Sequence, residues 1–404
     1  MSAIATTTTD FPALEREGLV YLDSSASAQK QREVIEAMSD MLAHHYANIH
    51  RGVYPLAVEA TDLFEGARTR IAAWRGSSEA ETIFTKNVTE AINLVAYSWG
   101  RSHVGAGDAI VLTKAEHHSN IVPWQLLCNE TGAHLRYLDI DDEGQISLDQ
   151  LDEHLADGRV RLLGVFHVSN VLGTINPVAE ICTRARAAGA VSLVDGAQAV
   201  PQLPFTLQDV GADFYAWTGH KLYGPTGIGV LHGRRELLEQ MPPFLGGGDM
   251  IRKVGEHTST FAELPWRFEA GTSPIVEAVG LGAAVDFVTR IGMPAIRAHE
   301  LAITGYAMQR LAEIEGLTIH GPRDPAARGA VISFVLDGTH PHDVAEIIGR
   351  EGVCVRASHH CAQPLMRHLG IPASVRASFA VHNTLADVDR LIDALGTVRE
   401  IFGD

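Results

Sequence analysis

Alternating strands and helices through the middle of the chain predict an α/β fold: a large domain with a mostly parallel sheet of the seven-stranded type, covered on both faces. Three observations carry this. Short apolar runs at 109–113, 134–138, 161–167 and 190–194 are separated by helix-patterned segments at 121–129, 148–156 and 178–188. Gly292-Met293-Pro294 is a glycine followed by a helix-starting proline, which marks a domain boundary. Beyond it the pattern becomes α+β, with strands and helices mixed to the terminal helix. The 404 residues, 46% of them apolar, suffice for two cores. The expected division is 21–292 and 293–404, with residues 1–20 packing on the smaller part.

The elements follow in order. Leu22-Asp23-Ser24-Ser25-Ala26-Ser27 is a run of small residues, suited to a backbone passing close to a ligand. Helical patterning covers 31–41, and Asn48-Ile49-His50-Arg51-Gly52 interrupts it. Val58, Leu63, Ala67, Ile71 and Trp74 share one face of the next helix. A strand at 82–85 leads to Asn87, an expected N-cap that turns the amides of Val88, Thr89 and Glu90 into an anion site. Strands at 213–217 and 228–231 flank the turn Thr218-Gly219-His220-Lys221-Leu222-Tyr223-Gly224-Pro225. The glycine-rich stretch 244–250 and the chain to residue 263 read as an irregular, mobile loop, and a long helix covers 274–291. In the second domain, helices are expected at 295–314 and 342–350 and strands at 317–320, 330–336, 353–356 and 374–380.

In open parallel sheets, ligands sit at the carboxyl ends of the strands. Candidates fall at those positions: His118, Asn170, Asp195 and Lys221. Lys221 is a lone amine on a constrained loop. Val194-Asp195-Gly196-Ala197-Gln198 places a carboxylate at a strand end and an amide one turn later. A lysine able to form a Schiff base and an acid able to hold a pyridinium nitrogen are what pyridoxal 5'-phosphate (PLP) requires. The adjacent histidines His117 and His118 cannot readily face one metal, and no His-x-x-x-His pair accompanies them, so no metal site is expected.

The spans His167 to Thr174, Val194 to Gln198 and Thr218 to Lys221 resemble class V aminotransferases of PLP-dependent fold type I. Val355-Arg356-Ala357-Ser358-His359-His360-Cys361-Ala362-Gln363-Pro364 resembles the SufS-type, group II cysteine desulfurases. The resemblance runs from Leu22 to the last helix. It implies that Lys221 holds PLP and removes the substrate α-proton, that Asp195 pairs with the ring nitrogen, and that Gln198 donates to the ring oxygen. It puts His118 over the ring, Thr89, Thr218, His220 and Asn170 on the cofactor, and Thr272 on the phosphate of a neighbouring subunit. Arg376, Arg356, Asn170, His50 and Arg51 become substrate contacts. Cys361 becomes the nucleophile that takes the sulfur of L-cysteine as a persulfide, leaving alanine, with His359, His360 and Arg356 favouring its anion. A homodimer with shared sites is implied, as is a sulfur-acceptor protein of the SufE or SufU type serving iron–sulfur cluster assembly.

This chain departs from the family where Asn87 and Val88 replace Gly-Thr, where Ser358 replaces a glycine, and where His382 replaces a tyrosine. If position 358 needs positive φ, its serine is strained. A selenocysteine lyase uses the same cofactor and loop, and a regulatory protein that merely keeps PLP is the rival of another class. A net charge of −17 supplies no basic face for nucleic acid or an anionic membrane. No apolar run reaches the ~18 residues of a membrane span. The threonine-rich start lacks a basic region and an apolar core, so it reads as a frayed tail rather than a secretion signal. Four scattered cysteines, Cys128, Cys182, Cys354 and Cys361, are then free thiols in a cytoplasmic protein.

Overall fold

The computed structural model describes residues 10–402; the threonine-rich start, up to residue 9, lies outside them. Strands β1 (Val20–Tyr21), β2 (Thr82–Thr85), β3 (Ala109–Thr113), β4 (His134–Leu138), β5 (Val160–Phe166), β6 (Val191–Asp195), β7 (Phe214–Thr218) and β8 (Gly229–Gly233) precede a hairpin of β9 (Ile251–Val254) and β10 (Ser259–Phe261). After it come β11 (Leu317–His320), β12 (Val331–Leu336), β13 (Val353–Cys354), β14 (Arg356–Ser358) and β15 (Ser374–Ser378).

Seven strands form the main sheet in the order β2-β8-β7-β6-β5-β3-β4. Only β8 runs against its neighbours. Strands β2, β3, β7 and β8 are buried along their whole length, because helices cover both faces of a mostly parallel sheet. That burial explains why each reads as a continuous apolar run. A four-stranded antiparallel sheet, β11-β12-β15-β14, is made wholly from residues beyond 292.

The first described residues touch both parts. Strand β1 pairs with β13, while Phe11 packs against Tyr223, Phe287 and His382. Residues 11–21 therefore contact both parts of the chain rather than the second alone.

Three expectations change. The segment 251–261 is a hairpin, not an irregular loop; its strands are almost entirely exposed, so no apolar alternation announces it. The strand expected at 353–356 is two strands, β13 pairing with β1 and β14 with β15. A helix at Gln363–Leu369 follows Cys361. All four cysteines are free thiols, and among the described residues no helix is long and apolar enough to cross a membrane.

Candidate active site

Lys221 leaves the end of β7 on a short 3-10 turn, Gly219–Lys221. The turn is pinned from both sides. Gly219 N donates to Ile228 O at 2.9 Å, and Leu222 N donates back to Gly219 O at 2.9 Å. A Cβ on Gly219 would lie 3.0 Å from the Ile228 side chain and 3.1 Å from its carbonyl, so the loop closes tightly only with glycine. Tyr223 takes φ 62°, a costly conformation for an aromatic residue, held by packing on Phe11 and Phe287. Among the described residues the Lys221 amine makes no hydrogen bond. Burial lowers its pKa to about 8 against the pull of Asp195, with Arg376 and Arg356 lowering it further.

Asp195 ends β6 beneath the lysine. It is buried and its Oδ1 accepts from Ala197 N at 2.9 Å. Burial raises its pKa, while Ala197 N and Lys221 oppose that. Gln198 Nε2 donates to Ser25 O at 2.9 Å, tying the small-residue stretch to this corner. His220 Nδ1 lies 3.3 Å from Ser27 Oγ, and burial lowers its pKa to about 4.

The two histidines divide differently from expectation. His117 is mostly buried, and its pKa is lowered to about 3 by burial, then by Lys221, His118 and Arg376. It is therefore neutral and lies within the field of the lysine. His118 points outward: its Nε2 accepts from Gln363 N at 3.1 Å and its ring is 5.6 Å from His359. Partial burial lowers the His118 pKa first, then His359 and Arg367; Lys221 is not among the groups that shift it. His118 thus braces the cysteine loop, and the place beside the lysine belongs to His117. Thr89 Oγ1 lies 2.6 Å from Ser119 Oγ, which is 3.0 Å from His117 Nδ1, a relay that orients the inner histidine. Asn87 caps its helix as expected, but its Oδ1 accepts from Glu90 N at 3.0 Å. That consumes one of the three amides expected at the anion site.

Cys361 is exposed on a loop held in left-handed backbone at His360 (φ 51°) and Cys361 (φ 56°). Ser358 lies in β14 opposite Ser374 and does not take positive φ, so the expected strain sits two and three residues later. Among the hydrogen bonds that hold the loop are His118 N to Cys361 O at 2.8 Å, Cys361 N to His359 Nδ1 at 3.1 Å, and Asn170 Nδ2 to His360 O at 2.8 Å. His360 is buried against Ser374, with a pKa lowered to about 3, so it carries no positive charge toward the thiol. His382 is likewise buried, beside Phe11.

Arg376 projects from β15 and is buried. Its Nη1 donates to Asn170 O at 3.0 Å and its Nη2 to Asp23 Oδ1 at 3.2 Å. Arg356 grips the same Asp23 through Nε and Nη2, the latter at 2.8 Å. Both expected arginines therefore converge, on a carboxylate that the sequence reading passed over. Asp23 is separated from them by more than 300 positions, and no spacing signal reports a pairing that distant.

Three expected residues are not brought to Lys221 within this chain. His50 bonds Glu65 at 2.8 Å and Arg51 bonds Asp249 at 3.0 Å; both line a cavity with Trp266 and Ser273. Thr272 lines another, with Lys86 and Phe244.

The family model for class V aminotransferases matches residues 20–391. A probable cysteine desulfurase of Streptomyces coelicolor is 50% identical over 98% of this chain and 96% of its own length. A cysteine desulfurase of Haloferax volcanii is 44% identical over 97% and 96%. Among solved structures, the apo cysteine desulfurase from Thermococcus onnurineus superposes with a TM-score of 0.94 at 37% identity, covering 100% of this chain and 98% of that one. The chain belongs to the class V aminotransferases, among the cysteine desulfurases.

Pyridoxal phosphate is the cofactor of this enzyme, and the residues present fit it. The Thr218 hydroxyl is buried with no partner among the described residues, beside the capped helix start at Asn87 where a phosphate would sit. The Lys221 amine is free of hydrogen bonds among the described residues, and Asp195 retains an oxygen for a ring nitrogen. Gln198 and His220 already have protein partners, so each would share its hydrogen bonding with the cofactor.

Proposed function

We propose that this enzyme takes sulfur from L-cysteine, leaves L-alanine, and holds the sulfur as a persulfide on Cys361. The observation that carries the reading is Cys361 itself: an exposed thiol on a loop tied down by His118 and Asn170, in the electrostatic field of Lys221. When bound, PLP supplies the electron sink that stabilises negative charge at the substrate Cα. Arg376 holds the substrate carboxylate, a task for a planar fork, with Arg356 beside it on Asp23. Lys221 Nζ, whose lowered pKa favours the free amine, takes the α-proton. Neutral His117 lies beside it to pass a proton onward. The Cys361 thiolate attacks the substrate Sγ; an S–S bond forms as the substrate Cβ–S bond breaks, and two protons, the one held by Lys221 and the one given up by the Cys361 thiol, return to Cα and Cβ to complete alanine.

The SufS-type reading extends this. The persulfide passes to a sulfur-acceptor protein of the SufE or SufU type, for iron–sulfur cluster assembly in the cytoplasm. The protein is a homodimer whose divisions are 21–292 and 293–404, and His50, Arg51 and Thr272 serve the partner's site. An apolar surface at Leu42, Tyr46, Val53, Tyr54 and Val58, with Val53 94% exposed, supports the dimer.

The test compares wild type with Cys361→Ala on L-cysteine and, in parallel, L-selenocysteine under reductant. Alanine from cysteine that disappears in the variant supports the persulfide route. Turnover of selenocysteine alone, untouched by the substitution, replaces the reading with a selenocysteine lyase. No product from either, with cofactor bound, points to a missing activating partner or to a regulatory protein.

A further inference from the structure

We propose that Asp23 is the resident counter-ion of the substrate-carboxylate site, occupying the arginine fork until a substrate carboxylate takes Arg376 from it. The inference rests on the reading of Arg376 as a carboxylate ligand.

Asp23 is fixed by its backbone. Leu22 N donates to Cys354 O at 2.9 Å, Ser378 N donates to Leu22 O at 2.8 Å, and Asp23 bridges to Ser378. Its side chain is only 14% exposed and its two arginine partners differ. Arg356, 48% exposed, holds it with both Nε and Nη2. Arg376, 3% exposed, holds it through a single 3.2 Å contact, and its Nε is buried with no partner among the described residues. An arginine buried this deeply is costly without a negative charge nearby. A fork with one long bond and one idle donor is nonetheless not satisfied by Asp23 alone. The missing bonds are those that a second carboxylate would make. Asp23 can then stay on Arg356 while the ligand's carboxylate engages Arg376.

The exchange reaches the nucleophile. Arg376 Nη1 holds Asn170 O, and Asn170 Nδ2 holds His360 O, next to Cys361. Occupation of the fork is thereby connected to the cysteine loop through two hydrogen bonds. Asp23 acts as a positioning residue, keeping the fork aligned and discouraging stray anions.

Asp23→Asn keeps the shape and removes the charge; Asp23→Glu keeps the charge. Thermal unfolding of each holoenzyme is followed in sodium acetate against sodium chloride of equal ionic strength. The expected result is a lower Tm for Asp23→Asn in chloride and recovery of about 2 °C or more in acetate, with wild type and Asp23→Glu responding far less. Equal acetate responses in all three proteins overturn the proposal. So does an Asp23→Asn protein that fails to fold at every acetate concentration while Asp23→Glu folds. Because acetate is only a carboxylate probe, this result stands apart from turnover: an acetate effect without alanine production sinks the desulfurase reading and leaves the counter-ion, and the converse sinks only the counter-ion.

Discussion

A histidine is useful beside a catalytic lysine only in the right protonation state, and here adjacency decides which one qualifies. His117 is half-buried and neutral beside the lysine, and His118 is turned to the loop. Burial places the His117 pKa at about 3, below the ordinary 6.5. Between those values only the unfolded chain takes up the proton, so this histidine costs the fold stability as pH falls from 6.5 toward 3. Above 6.5 the cost is absent, and no break in activity near 6.5 should come from His117. His117→Ala is expected to slow alanine formation by about 10²–10⁴-fold, as loss of a proton-transfer group does, with His118→Ala costing less than about 10²-fold. Steady-state rates for the two variants decide it; equal losses would return the role to His118. The sequence shows two neighbouring imidazoles and nothing about which way each faces. Tertiary packing separates them, through the Thr89–Ser119–His117 relay on one side and the bond from Gln363 N to His118 on the other.

At the scale of elements, buried parallel strands were legible because they are apolar throughout, and the lysine and aspartate at their ends followed from that. Elements without a core-facing pattern were not. The hairpin Ile251–Val254 and Ser259–Phe261 exposes nearly every residue, and the break between β13 and β14 depends on two different partner strands. The cysteine loop is a third case: residue chemistry located it, while its left-handed residues, His360 and Cys361, are ordinary side chains that no glycine flags. Asn170 is the clasp of that loop. Its side chain holds His360 O, and its backbone carbonyl holds Arg376. Asn170→Ala removes the first bond and leaves the second. One lost hydrogen bond of about 0.5–1.5 kcal/mol predicts roughly 2- to 13-fold slower persulfide formation at Cys361. The KM for cysteine should hardly change. Single-turnover trapping of the persulfide measures the first, and a raised KM with unchanged trapping would show that Asn170 serves the substrate instead.

At the scale of the whole molecule, one chain brings Lys221, Asp195, His117, Cys361, Arg356 and Arg376 together, and leaves His50, Arg51 and Thr272 in other cavities. If the proposed dimer shares its sites, those residues complete the partner's pocket rather than their own. Arg51 suits a test, because its side chain is exposed and its bond to Asp249 lies at the surface. A Lys221→Ala protein and an Arg51→Ala protein should each lose alanine production. Unfolding them together and refolding produces mixed dimers. In these, one site has lost both residues, while the other combines Lys221 of one chain with Arg51 of the other. Such a mixed dimer should recover about half the activity of a wild-type dimer. Activity no greater than the sum of the two parents would place Arg51 in the site of its own chain, or outside the site altogether.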